Sequence, residues 1–302
     1  MALSDWNFAV FILTHGRPDS VITDKTLRRS GYTGLIWYLI DDEDSTATQY
    51  RERYGDAVIQ FNKRRYADMV DEGDNFDNRR TTTHVRNASF DIAESLGLDW
   101  FLLLDDDYLF FEYRTNHEEQ YPAKMAKIEA QLDGIIEALL EFVDATSFAS
   151  VAMAQGGDMI GGIEARSWMP GNPTIYRKAM NSFLMSPHRR FKFISRLNED
   201  VNTYCTEGMR GTLMGTVPLV SLTQKQTQSQ SGGMTDAYKA SGTYVKSFST
   251  VMYCPAFVLV QALNTSHARI HHRIDWKRAV PVIIGEEHAS QRAREKRRGK
   301  EE

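Results

Sequence analysis

This sequence predicts an α/β fold built on a parallel sheet covered on both faces, and three observations lead there. Continuous apolar runs recur in the first 110 residues: Asn7–Thr14 (NFAVFILT), Leu35–Ile40 (LIWYLI) and Trp100–Leu104 (WFLLL). Helical patterns separate them. The runs are unbroken by polar alternation, as befits strands buried on both faces.

Asn7–Thr14 is rich in β-forming residues and stops at the turn His15-Gly16-Arg17-Pro18. A helix bearing Val21, Ile22 and Leu27 follows and stops near Gly31. The second strand breaks at Asp41-Asp42-Glu43-Asp44. A polar helix over Thr46–Tyr54, closed by Gly55, leads to a short strand at Ala57–Phe61. Thr82–Leu96 reads as a helix with Val85, Ala88, Ile92, Ala93 and Leu96 on one face and Gly97 after it. Trp100–Leu104 then runs straight into Asp105-Asp106-Asp107.

The second half is less regular. Lys124–Val143 is the clearest amphipathic helix, and Ser147–Met153 reads as a strand followed by a glycine-punctuated loop, 155–162. Leu197–Met209 reads as a helix opening at Asn198-Glu199-Asp200. Thr223–Gly233 (TQKQTQSQSGG) lacks apolar periodicity and reads as a surface loop. No internal repeat is present. We divide the chain into a regular first half, 1–110, a less regular second half, 111–290, and a basic tail, 291–302.

Composition excludes several classes. With 302 residues, 42% hydrophobic and 25% charged, the chain is neither disordered nor a small stapled scaffold. The net charge of −4 excludes a uniformly basic nucleic-acid coat. Two cysteines, Cys205 and Cys254, are too few for a disulfide framework and suit buried thiols in a reducing compartment. The apolar run Phe8–Leu13 is too short to span a bilayer. These features predict a cytoplasmic protein with no membrane partner.

The acidic triplet carries the strongest chemical signal. Three adjacent carboxylates repel one another, and directly after a buried strand they call for a compensating cation or ligand. Ligands of open parallel sheets bind beyond the carboxyl ends of the strands. Hard oxygen donors at Asp105 and Asp107 suit Mg²⁺ or Mn²⁺ holding a diphosphate, with a solvated acidic turn as the alternative. Asp41 and Asp42 should reach the same sheet edge, able to accept from ribose hydroxyls or a base N–H; a polar loop opening the next helix is the alternative. Thr14 and Arg17 would line that crevice. Arg86 and Asn87 are placed on the exposed side of their helix, where Arg86 could fork onto a phosphate or be a plain surface arginine.

FILTHGRP, IDDEDS and HVRNASFDIAESLGLDWFLLLDDDYLF together resemble a GT-A (Rossmann-like) glycosyltransferase, with an acceptor-side extension. More narrowly, HGRPDSVITDKTL, DDDYLFF and SGGMTDAYKASGTYVKSF resemble the TET-associated glycosyltransferases of phages and the base J glucosyltransferase. The resemblance implies that Thr14, Arg17, Asp41, Asp42 and Arg86, with Asn87 and Asp106 beside them, hold the nucleoside diphosphate of a donor, UDP-linked in our reading. It implies that Asp105 and Asp107 are the outer positions of a DxD motif. A histidine from the C-terminal part would be a further metal ligand, with His267, His271, His272 and His288 as candidates. If Arg269–Ile274 is a strand, His271 and His272 face opposite ways and at most one can serve.

Asn198-Glu199-Asp200 resembles the second acidic motif of inverting members, where a carboxylate acts as base; Asp200, with Glu199 beside it, takes that role. An attacking alcohol must lose its proton, which a positioned carboxylate can accept. The plainer reading is a helix start capped by Asn198. The loop 156–162 would let backbone approach the donor sugar or acceptor closely. The implied acceptor is DNA containing a hydroxymethylated pyrimidine. The tail 291–302 carries six basic and three acidic residues, +3 locally against −7 for the remainder. Lys63-Arg64-Arg65 and His188-Arg189-Arg190 could join it, and Lys225, Lys239, Lys246, Tyr238 and Tyr244 could touch backbone or stack on a base. The alternatives are a GT-A enzyme with a glycan, protein or small-molecule acceptor, and a non-catalytic nucleotide- or DNA-binding module.

Overall fold

The computed structural model describes residues 2–72, 79–114, 125–155, 174–177, 179, 181–224, 234–264 and 268–289. The glycine loop 156–162, His267, Lys225 and the tail 291–302 lie outside the described residues, as do the side chains of Tyr238 and Lys239.

In chain order the elements are β1 (Phe8–Leu13), α1 (Thr23–Arg29), β2 (Leu35–Asp41), α2 (Ala47–Tyr54), β3 (Val58–Phe61), α3 (Lys63–Ala67), α4 (Thr83–Ser95), β4 (Trp100–Asp105) and β5 (Tyr108–Tyr113). There follow β6 (Ala126–Lys127), α5 (Leu132–Ala145), β7 (Phe148–Gln155), β8 (Ser182–Met185), α6 (Glu199–Met209), β9 (Leu213–Gln224), α7 (Met234–Tyr253), β10 (Val258–Asn264), β11 (Ala268–Ile274) and α8 (Trp276–Ala279). Among the described residues no helix is long and apolar enough to cross a membrane.

Nine strands make one sheet in the order β3-β2-β1-β4-β8-β7-β9-β5-β6, and β10 and β11 pair as a separate ribbon. The block β3-β2-β1-β4 is parallel throughout. Beyond it β8 runs antiparallel to both β4 and β7, while β7 and β9 are parallel again. Both proposed halves of the chain contribute to this one sheet, and β5 crosses residue 110.

Side chains alternate across the sheet as a two-residue period requires. Val10, Ile12, Tyr38, Ile40, Leu102 and Leu104 face a layer containing Leu27 of α1, Tyr50 of α2 and Ile136 and Leu140 of α5. Ala9, Phe11, Leu39, Phe101 and Leu103 face the opposite layer, with Val85, Ala88 and Ile92 of α4 and Tyr204 of α6. A one-residue slip would exchange the two sets, and each buried Leu or Phe is worth about 1.5–3 kcal/mol, so register is firmly fixed. A third cluster joins Val201 and Cys205 of α6 to Cys254, Phe257, Val258 and Ala279. Both cysteines are free and buried.

The structure departs from the sequence reading in several elements. Helix α1 begins at Thr23, so Val21 and Ile22 lie in the chain before it, and β5, β8 and most of β9 are strands that the sequence reading did not give. Helix α5 begins at Leu132 rather than Lys124, because Ala130 turns left-handed (φ +54°) and the N–H groups of Gln131 and Leu132 bond to Ser30 O. Upstream, Ala126 and Lys127 pair with β5 instead. Thr223 and Gln224 belong to β9, not to the following loop. Leu96, placed on the core face of α4, is its exposed C-cap. Met234–Tyr253, noted in sequence only as part of a motif, is the helix α7.

Candidate active site

The parallel block sets the site by aligning strand ends. Leu13 of β1 lies opposite Asp105 of β4, and β2 ends at Asp41 on the other side of β1. The start of α1 pins the acidic turn. Thr23 Oγ1 donates to Asp105 O (2.7 Å) and accepts from the Tyr108 N–H (3.0 Å), while Asp106 O accepts the N–H groups of Ile22 (2.8 Å) and Thr23 (3.2 Å).

From that fixed turn the three carboxylates take different surroundings. Asp106 is buried and accepts from Thr14 Oγ1 (2.6 Å), Arg17 Nε (2.7 Å) and Arg17 Nη2 (2.6 Å). Tyr50 OH lies 2.7 Å from Thr14 Oγ1 and accepts the Arg17 N–H. Asp106, Thr14 and Arg17 are therefore engaged with one another. Asp105 is different: its Oδ1 is buried without a hydrogen-bond partner, and the nearest cation is Arg86 Nη2 at 3.8 Å. Burial, countered by Arg86 and reinforced by Asp107, Asp106 and Glu199, pushes the Asp105 carboxyl up to about 7. Burial also raises Asp107, although its Oδ1 accepts from Gln224 Nε2 (2.8 Å).

Two raised carboxyls beside an unpartnered oxygen make a site short of positive charge, which suits a hard divalent cation. Among the described residues no three His, Cys, Asp or Glu side chains converge on one point. Among the described residues the side chains there would be fewer than such a cation's coordination number, which would leave positions for water or phosphate oxygens.

The β2 edge is organised by its own acids. Asp41 accepts the Glu43 N–H (3.0 Å) and lies 2.9 Å from His15 Nδ1 and 3.6 Å from Lys63 Nζ. Burial opposes its ionisation, but the His15 hydrogen bond and the Lys63 charge hold it below the usual carboxylate range. The same hydrogen bond raises His15. Asp42 accepts the Lys63 N–H (2.9 Å) and Asn62 Nδ2 (2.9 Å) at the start of α3. Asp44 accepts the Gly16 N–H (2.8 Å), tying the loop after β1 to the loop after β2.

Arg86 and Asn87 are not on an exposed face. Arg86 is 1% exposed, with its guanidinium carbon 5.1 Å from the Phe183 ring centroid and 5.6 Å from that of Phe193. Its Nη1 is 3.0 Å from Glu199 Oε1. Asn87 brackets Phe193, donating Nδ2–H to its carbonyl and accepting its N–H, both at 2.9 Å. The apolar stripe of the sequence covers only part of the buried face: α4 packs on the sheet and also on the segment 191–196, so its buried face extends around Arg86 and Phe90.

At the third acidic motif, Asn198 does not cap α6 with its side chain. Its backbone is left-handed (φ +55°), and Nδ2 donates to Lys246 O (3.0 Å) and Thr250 Oγ1 (3.2 Å) and lies 3.2 Å from His272 Nδ1. Glu199 Oε1 accepts from Thr82 Oγ1 (2.8 Å) in addition to its pairing with Arg86. Asp200 is half-buried, and its Oδ1 accepts the Val201 N–H (2.8 Å).

His272 thus sits beside this motif. The expectation that His271 and His272 face opposite ways fails, since their ring centroids are 4.2 Å apart. Strand pleating fixes the Cβ direction, but two further torsions place an imidazole ring. His288 is buried against Thr212 Oγ1 (3.0 Å from Nε2), and burial lowers its pKa.

The basic clusters are engaged internally. Arg189 donates to the carbonyls of Val143, Thr146 and Phe148 near the end of α5, and Arg190 pairs with Asp91 and Glu94. Lys63, Arg64 and Arg65 pair with Asp41, Asp68 and Asp91. Sequence reasoning missed Tyr50, Gln224 and Thr82. Tyr50 had a signal, being one of two aromatics on an otherwise polar helix; Gln224 and Thr82 stand in polar runs that offer none.

A family model described as TET-associated glycosyltransferase matches residues 8–233. No curated protein matches the chain. Among solved structures, glucosyl-3-phosphoglycerate synthase from Mycobacterium tuberculosis, in complex with Mg²⁺ and uridine diphosphate, is similar over 90% of this chain and 88% of that one, at 9% identity and a TM-score of 0.46. Mannosyltransferase PcManGT from Pyrobaculum calidifontis, in complex with GDP-Man and Mn²⁺, is similar over 78% and 60%, at 11% identity and a TM-score of 0.46. TarS of S. aureus is similar over 73% of this chain and 37% of that one, at 13% identity and a TM-score of 0.42.

Proposed function

The chain belongs to the TET-associated glycosyltransferase family, and we propose that this glycosyltransferase moves a sugar from a UDP-linked donor to the 5-hydroxymethyl group of a modified pyrimidine in DNA, with inversion and with Mn²⁺ or Mg²⁺ at a GT-A site. The observation that carries the donor side is the division within the triplet: Asp106 is neutralised by Arg17 and hydrogen-bonded by Thr14, whereas Asp105 keeps a buried oxygen without a hydrogen-bond partner. That oxygen fits a cation. Asp105 and Asp107 would hold the ion, which when bound would offset the charge developing on the departing diphosphate.

The remaining work falls to this chain's own groups. The Arg17–Asp106 fork fixes the turn from which Asp105 and Asp107 project. Asp41, held ionised by His15 and Lys63, can accept from the nucleoside. At the start of α6, Glu199 is held by Arg86 and Thr82, and Asp200, the next residue, would take the proton from the attacking hydroxyl. The acceptor base would have to leave the duplex stack to bring its hydroxyl there.

The nearest competing reading, a glycan, protein or small-molecule acceptor, keeps every donor-side residue. It is favoured by one observation: the basic clusters at 63–65 and 188–190 already pair with acids and carbonyls of this chain, Lys63 and Arg189 in partly buried contacts and Arg64 and Arg65 at the surface. Incubation with hydroxymethylated and unmodified DNA plus a panel of nucleotide sugars, read by nucleoside mass spectrometry, separates the two. Glycosylated nucleoside from hydroxymethylated DNA alone is the expected result; transfer only to a non-nucleic-acid acceptor would reject DNA.

A further inference from the structure

One side chain spans the two acidic regions of the site. Arg86 leaves the first turn of α4 and passes beside Phe183 of β8 and Phe193, reaching Glu199 at the start of α6 (3.0 Å) and Asp105 at the end of β4 (3.8 Å). It is almost completely buried, and neither its Nε nor its Nη1 makes a hydrogen bond, so its hold on Glu199 is an ion pair. Flanking rings restrict the guanidinium plane, so its two terminal nitrogens face two carboxylates from different elements.

We infer that Arg86 is a positioning residue that sets the acidic start of α6 relative to the end of β4. β4 carries the donor-side acids, and α6 carries Asp200. Arg86 therefore links the place where the donor binds to the place where the proton is taken, without touching either reactant. Thr82 Oγ1, at the N-cap of α4, holds the same Glu199 oxygen, so Glu199 is met from the cap and from the first turn of one helix. A lysine here would keep the charge but, as a point donor without a planar fork, could not face both carboxylates from between the rings. This inference rests on the functional reading above, because it takes Asp200 as the base.

The test combines Arg86→Lys, Arg86→Ala and Glu199→Gln. Displacing the base relative to the donor should lower kcat about 10²-fold while donor KM changes little. Arg86→Lys combined with Glu199→Gln should be no worse in kcat than Arg86→Lys alone, since both break the same link. Guanidinium at non-denaturing concentration should restore turnover to Arg86→Ala, and methylammonium should not. Additive losses in the double variant, or equal rescue by the two cations, would overturn the role.

A urea-unfolding cycle on the same variants measures the Arg86–Glu199 coupling without metal, donor or acceptor. Coupling there is expected, and its absence would also overturn the inference. Donor hydrolysis without acceptor supplies the kinetic readings even if DNA proves not to be the acceptor. A wrong acceptor assignment is thus told apart from a wrong role for Arg86.

Discussion

Arg17 meets Asp106 edge to edge, with Nε 2.7 Å from one carboxylate oxygen and Nη2 2.6 Å from the other. The acid is 1% exposed and the arginine side chain about a third, so the charge at risk is that of Asp106. Removing one partner of such a pair strands a buried ion, which typically costs about 3–5 kcal/mol. Arg17→Met should therefore destabilise strongly in urea unfolding. Arg17→Met combined with Asp106→Asn should recover much of the loss, because no unpaired charge then remains. A double variant as unstable as the sum of the singles would show that the fork does not carry this stability.

For the other two acids the proposal predicts metal dependence. Asp107→Ala should abolish turnover while leaving the thermal transition near that of the wild type, since its carboxyl is already disfavoured by burial. EDTA should abolish turnover as well, with Mn²⁺ or Mg²⁺ restoring it. Full activity in EDTA would remove the cation from the mechanism.

A pH dependence is expected from His84, a residue outside the proposed chemistry. It is 1% exposed, neither ring nitrogen has a hydrogen-bond partner, and burial lowers its pKa from 6.5 to about 4, although Glu72 Oε1, 3.5 Å from Nε2, favours the protonated ring and makes the energy below an upper value. The unfolded chain then binds the proton more readily than the folded one between those values. The associated stability is present above pH 6.5 and is lost as pH falls toward 4. At 1.36 kcal/mol per pH unit the full interval is worth about 3 kcal/mol. His84→Gln should accordingly gain on the wild type by up to about that amount between pH 7 and pH 4 in urea titrations. A stability gap independent of pH would remove His84 as the source.

How far the sequence could be read depended on what each element packs against. β1, β2 and β4 are central strands whose apolar runs are continuous, and their limits agree with the sequence to within about one residue. α5 was misplaced at its start because the left-handed turn at Ala130 is set by a contact with Ser30, about a hundred positions away. The acidic triplet was visible as a site, but its internal division was not. Nothing in DDD says that the middle member turns inward; that follows from the Thr14–Tyr50–Arg17 arrangement brought in by β1 and α2. Arg86 was misread for a similar reason, since a helix covered on two sides hides a polar residue that a single-stripe reading exposes.

For Asp200 the expected signature is kinetic. Asp200→Asn keeps the shape and an acceptor for the Val201 N–H while removing basicity. General-base contributions run at about 10²–10⁴-fold, so kcat should fall within that range with donor affinity little changed. Near-normal turnover would return Asp200 to holding the first turn of α6.

DNA binding distinguishes the proposed acceptor from its nearest competitor. The internally paired clusters at 63–65 and 188–190 leave the basic run 291–302, with Arg292, Arg294, Lys296, Arg297, Arg298 and Lys300, as the main candidate source of phosphate contacts. Each phosphate neutralised releases counterions, so affinity for duplex DNA should fall steeply with salt. Truncation after Ser290 should flatten that dependence by about one unit of slope per contact removed. Modified and unmodified DNA should weaken alike, because phosphate contacts position without specifying sequence or modification. Discrimination for the hydroxymethyl group should survive truncation, since the proposal places that recognition near Asp200. A full-length protein whose DNA binding does not respond to salt, or a truncated one that loses its preference for the hydroxymethylated base, would contradict this assignment of roles.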